Sequence, residues 1–124
     1  MSFWYLASPY SKYPGGMDLA FQMACRNAAL LLKAGIPVFS PIAHSHPIAV
    51  YGDIEATSHE FWIDFVDMPF MEAARGCIVL QARSWTSSTG VAREIEYFNS
   101  VGKPVATMKP GRVPPSLLPT PSLL

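Results

Sequence analysis

A chain of 124 residues, half of them hydrophobic, is the size of one domain with one core. Basic and acidic residues balance and charged residues make up only 15%, which argues against a nucleic-acid polymer as partner. No stretch approaches a membrane span, and the apolar run at residues 3–7 is too short and lacks the basic flank of a signal peptide. The expected compartment is therefore the cytoplasm, with no membrane partner.

Phe3-Trp4-Tyr5-Leu6-Ala7, stopped by Ser8-Pro9, predicts a buried strand. Residues 10–16 hold a proline and two glycines and predict a loop. Residues 18–34 predict a helix that is apolar around most of its circumference. Gln22, Arg26 and Lys33 form its narrow polar stripe, and Gly35 is its stop. Residues 37–40 predict a second strand and residues 41–56 a loop. Thr57-Ser58-His59-Glu60 resembles a capping box, Phe61, Phe65 and Met68 follow at helical spacing, and Pro69 is expected to kink that helix or start a new turn. Residues 77–80 predict a third strand, 82–88 a loop, 90–101 a helix stopped by Gly102, and 104–108 a fourth strand. Cys25 and Cys77 have neither metal-ligand nor redox spacing and are read as reduced and buried.

Strands alternating with helices predict a single α/β domain over residues 1–109. Its layering is a Rossmann-like or flavodoxin-like three-layer sandwich with a parallel sheet of four or five strands. Residues 110–124 carry five of the twelve prolines and predict a tail, either poorly ordered or laid against a neighbouring chain.

Ligands of open parallel sheets bind at the carboxyl ends of the strands. Three such ends are polar here: Ser8-Pro9-Tyr10-Ser11, residues 41–46 and residues 84–89. Ser87-Ser88-Thr89-Gly90 leads into a helix, which suits either an anion or an ordinary serine N-cap. On that helix Val91, Ile95, Phe98 and Val101 form an apolar stripe. Glu94 falls inside it and Glu96 points away. A carboxylate on the core side is costly unless chemistry uses it or a cation pairs with it, and Arg93 is the nearest cation in sequence. His44 and His46 have no third ligand in sight and read as polar loop residues rather than a metal site, with His44 a candidate contact to a ligand. His59 reads as part of a helix start. Trp85 is either a wall over the ligand or an exposed loop tryptophan.

Tyr5-Leu6-Ala7-Ser8-Pro9, Ser88-Thr89-Gly90-Val91-Ala92-Arg93-Glu94 and Gly102-Lys103-Pro104-Val105 together resemble, in order and spacing, the nucleoside 2-deoxyribosyltransferase superfamily. The resemblance implies an enzyme acting on the N-glycosidic bond of a small nucleoside or nucleotide, with no cofactor and no metal. Glu94 would be the nucleophile and Tyr5 the residue that orients it. Asp67, with Asp64 as its rival, would assist the leaving base. Ser8, Tyr10, His44, Trp85, Ser87, Ser88 and Gly90 would line the substrate site. The nucleoside transferases carry aspartate where this chain has Ser88, whereas the related 2′-deoxynucleoside 5′-monophosphate N-hydrolases carry serine beside a phosphate. Gly111-Arg112-Val113 also resembles that hydrolase branch, in which a neighbouring subunit adds a phosphate contact, here Ser116. A homodimer or higher oligomer is expected on that ground, and because a neutral, apolar chain leaves few charges to keep copies apart. A sensor that binds a nucleotide or nucleotide-sugar without turnover is the competing expectation.

Overall fold

The structure, a computed structural model, describes residues 2–119. The first strand, β1 (Trp4–Ala7), is buried along its whole length. A helix, α1 (Met17–Lys33), leads to the short strand β2 (Val38–Phe39) and a second helix, α2 (Pro41–Gly52). A π-helical segment, Glu60–Asp67, runs directly into α3 (Met68–Ala73). The wholly buried strand β3 (Gly76–Leu80), helix α4 (Thr89–Ser100) and strand β4 (Val105–Met108) follow.

All strand pairs are parallel and the order is β2-β1-β3-β4. The protein is thus an α/β fold of the flavodoxin-like kind, with β1 and β3 side by side at its centre. Covered on both faces, these strands read as unbroken apolar runs. Alternate residues serve opposite layers. Trp4, Leu6, Ile78 and Leu80 pack with Ala28 and Leu31 of α1, while Tyr5, Ala7, Cys77 and Val79 pack with Met71, Val91 and Phe98. Cys77 is buried as expected, but Cys25 is only half-buried; both are free thiols.

Residues 41–52 form a helix where a loop was expected. Ser40 caps it, its Oγ accepting from the Ala43 N–H at 3.2 Å, and Pro41 occupies the first turn, where its missing N–H costs nothing. Pro47 inside the helix and the near-absence of an apolar stripe concealed it. The stripe expected from Phe61, Phe65 and Met68 also differs. Phe65 is 71% exposed, and the buried residues of the segment are Trp62, Ile63 and Asp67. Bonds from i to i+5 widen the turn, so residues five apart as well as four apart share a face, as Trp62, Ile63 and Asp67 do. Pro69 lies just downstream and has no N–H to offer the carbonyl four residues earlier. At the head of this segment Ser58, not Thr57, provides the cap, accepting from Phe61 N–H at 3.5 Å.

The expected tail folds back on its own domain as far as it is described. The Gly111 N–H donates to Asn27 Oδ1 of α1 at 2.8 Å, and Val113 and Leu117 pack against the α1-side core. Residues 120–124 of that tail lie outside the described residues. Among the described residues no helix is long and apolar enough to cross a membrane.

Gly76 of β3 is closely approached by Trp4 of β1 and by Pro104 just ahead of β4. A Cβ there would lie 2.6 Å from Trp4 Cζ3 and 2.7 Å from the Pro104 carbonyl oxygen. Gly76→Ala should therefore cost about 3 kcal/mol through overpacking, read as a lowered urea midpoint. An unchanged midpoint would mean that this contact is not a constraint on the sheet.

Candidate active site

The order β2-β1-β3-β4 sends the chain in opposite directions from the ends of β1 and β3, the position where such sheets open a crevice. The cleft found there is lined from one side by Ser8, Tyr10 and Ser11, which follow β1. From the other side come Asp67 and, on α4 or at its cap, Ser88, Gly90 and Glu94.

Glu94 is 5% exposed, on the sheet-facing side of α4. The hydroxyl of Tyr5, which is wholly buried on β1, donates to Glu94 Oε2. Burial pushes the Glu94 carboxyl from 4.5 up to about 8, with the Tyr5 bond opposing the shift and the charge of Asp67 adding to it. Tyr5 itself is held well above its ordinary value, first by burial and then by Glu94 and Asp67, so it remains a protonated donor. Arg93, the cation that could have neutralised Glu94, points elsewhere. Its Nη2 donates to both carboxylate oxygens of Asp64, at 2.9 and 2.8 Å, on the exposed side of the domain.

The two candidate acids are thereby separated. Asp67 is 4% exposed and lines the cleft, its Oδ1 meets no hydrogen-bond partner, and burial raises it to about 7. Asp64 is outside, bound to Arg93. The widened turn before Pro69 is what puts Asp67, rather than Asp64, on the inner face.

Ser8 is buried, and its Oγ also lacks a partner. Ser88 caps α4, its Oγ accepting from the Val91 N–H at 3.2 Å, and the same residue lines the cleft. Its hydroxyl proton stays free to donate. Ser87 is exposed, with its hydroxyl donating to the Ser84 carbonyl, and its own carbonyl accepts from Lys12 Nζ at 3.3 Å. Ser87 and three other expected residues do not line the cleft. Trp85 packs half-buried against the apolar cluster that contains Tyr5. His44 lies against Phe39 and Phe70 with an unpartnered Nδ1. Ser116 sits on an exposed turn beside Leu117, which joins Trp4 and Ile36 at the opposite end of the strands.

Sequence reasoning missed Ser45, Trp62 and His59 as lining residues, and Lys12, whose ammonium donates to the Ser87 carbonyl next to Ser88. The first three depend on α2 and the π-helical segment, neither of which the periodicity resolved. Lys12 had no signal beyond its place two residues after Tyr10. Among the described residues, no group of three or more metal-ligating side chains converges.

Both buried carboxyls titrate higher in the folded protein than in the unfolded chain. Their contribution to stability is therefore full below about pH 4 and is lost as pH climbs through the native values of about 7 and about 8. Glu94→Gln, which keeps an acceptor for Tyr5 but carries no charge, should melt about 5 °C or more above the unsubstituted protein near pH 8. The difference should close towards pH 4 in a thermal-denaturation series. A gap independent of pH would mean that Glu94 is not buried against its charge.

No curated protein matches the chain. One family does, over residues 2–110, a span that contains both central strands and every residue named above as lining the cleft. The protein belongs to the family described as Domain of unknown function (DUF1937).

Proposed function

We propose that the cleft cleaves or transfers at the N-glycosidic bond of a nucleoside or nucleoside 5′-monophosphate through a covalent glycosyl-Glu94 intermediate. The observation that carries this reading is a buried carboxyl with no cation beside it among the described residues, held by a buried phenol and sharing a cleft with a second buried carboxyl. A cleft built only to bind gains nothing from keeping two such groups out of water.

The chemistry divides between them. Breaking the bond from sugar carbon to base nitrogen leaves positive charge on the sugar, which the Glu94 anion stabilises and then captures. Its Oε1, which Tyr5 does not hold, forms the new bond to carbon, while the electron pair of the broken bond leaves with the base. Asp67, raised to about 7 by burial and so partly protonated at neutral pH, gives the departing base its proton. Water or a second base then displaces Glu94 from the sugar. Raised to about 8, Glu94 holds a proton near neutral pH and passes it to the lower-titrating Asp67 before attack; the Tyr5 hydrogen bond and the developing cation favour the resulting anion.

Ser88, the amides at the start of α4 and Lys12, held on the Ser87 carbonyl next to Ser88, suit a phosphate at the 5′ end of the sugar. No acidic side chain lies between Ala82 and Arg93 to repel it. The serine at position 88 is also what the sequence resemblance associates with monophosphate substrates.

Glu94→Gln should abolish release of free base from nucleosides and nucleotides, and Tyr5→Phe should lower kcat with little change in KM, both followed by chromatography with and without an acceptor base. Full turnover by the Glu94→Gln protein would sink the mechanism. Calorimetry with matched ligands should find the monophosphate tighter than its nucleoside. Ser88→Asp should weaken only the monophosphate, by tenfold or more, as about 1.5–3 kcal/mol per charge-assisted bond implies. Equal affinities in the unsubstituted protein would remove the phosphate from the reading.

A further inference from the structure

A second polar chain ends at the cleft, and the chemistry above does not use it. The Tyr10 hydroxyl lies 2.6 Å from His46 Nδ1, and Tyr10 borders the cleft. His46, on α2, is stacked on Phe21 of α1 with ring centroids 4.5 Å apart at 22°, and meets Tyr10 edge-on. Its Nε2 faces Asp18 Oδ1 of α1 at 3.6 Å, and Asp18 Oδ2 accepts from Gln22 Nε2 at 2.9 Å. Two helices, α1 and α2, thus converge to fix one phenol.

The protons in this chain have a preferred arrangement. A neutral imidazole carries one N–H, and the Asp18 carboxylate beside Nε2 favours the proton there, leaving Nδ1 as an acceptor. Tyr10 then directs its only proton at Nδ1. Burial holds the Tyr10 phenol above its ordinary value, so it keeps that proton. A phenol with its proton committed offers the cleft only lone pairs. An untethered phenol would rotate its proton and both donate and accept.

We propose that Tyr10 is a specificity-determining residue that accepts a hydrogen bond from one hydroxyl of the ligand's sugar, with His46 as the positioning residue that makes it accept only. This rests on the nucleoside or nucleotide reading of the cleft and adds which kind of sugar substituent is recognised.

The test titrates adenosine, guanosine, cytidine and uridine 5′-monophosphates, with their 2′-deoxy and 3′-deoxy counterparts, by calorimetry. One deoxy series should bind the unsubstituted protein about five- to tenfold more weakly than its parent, the worth of one neutral hydrogen bond. Tyr10→Phe should erase that gap. His46→Gln should shrink it, and His46→Asn, which can set an amide oxygen near the place of Nδ1, should restore part of it. A gap that survives in Tyr10→Phe, or a uniform loss across all ligands, overturns the proposal. Nucleotide binding without any deoxy gap overturns it while leaving the function reading intact. Absence of binding by every nucleotide removes the function reading, and this one with it. A long-range 1H–15N correlation reads the His46 proton without ligand. It should show Nε2–H with a bare Nδ1, and Nδ1–H would overturn the acceptor-only assignment even where nucleotides bind.

Discussion

The hydrogen bond from Tyr5 to Glu94 joins the centre of the sheet to the helix that covers it, with both partners withdrawn from water. An ionisable group in that position is tolerated only where the surrounding structure is organised around it. β1 has to be an interior strand, or Tyr5 would be wet. Its pleat has to send Tyr5 and Ala7 towards α4 and Trp4 and Leu6 towards α1. The helix has to turn Glu94 inward while its neighbour Arg93 is held outside by Asp64. Sheet order, pleat and helix rotation are three separate features that this one bond requires to agree.

The cleft follows from the same centre. Because β1 and β3 are adjacent and their onward connections diverge, the sheet leaves a gap at their carboxyl ends that no side chain of the core fills. Ser8 enters it from one connection and Ser88 from the other. The scaffold below is packed on both faces, so these polar groups stand on rigid strand and helix ends and not on long loops.

Much of this was legible in the residues. The strands showed as short apolar runs, and the ends of α1 and α4 were marked by Gly35 and Gly102, both of which adopt positive φ just past those helices. Glu94 stood out because a carboxylate interrupted an apolar stripe. What hid was structure that breaks ordinary periodicity. The helix at 41–52 carries two prolines, and its signal was confined to the Ser40-Pro41 start. In the π-helical segment the repeat itself is altered, so the helical spacing of Phe61, Phe65 and Met68 did not mark the buried face and left Asp64 and Asp67 undecided. Contacts such as Tyr10 with His46 join residues 36 apart and leave no local trace.

The fork between Arg93 and Asp64 bolts together the two elements that carry the buried carboxyls: Arg93 immediately precedes Glu94, and Asp64 lies three residues before Asp67. An exposed pair of this kind adds little to stability, about 1 kcal/mol or less. Its effect is mechanical. The clasp ties these two elements on the outer surface, where dissolved ions reach it freely. Salt therefore weakens a tie between the two carboxyl-bearing elements without any ion entering the cleft.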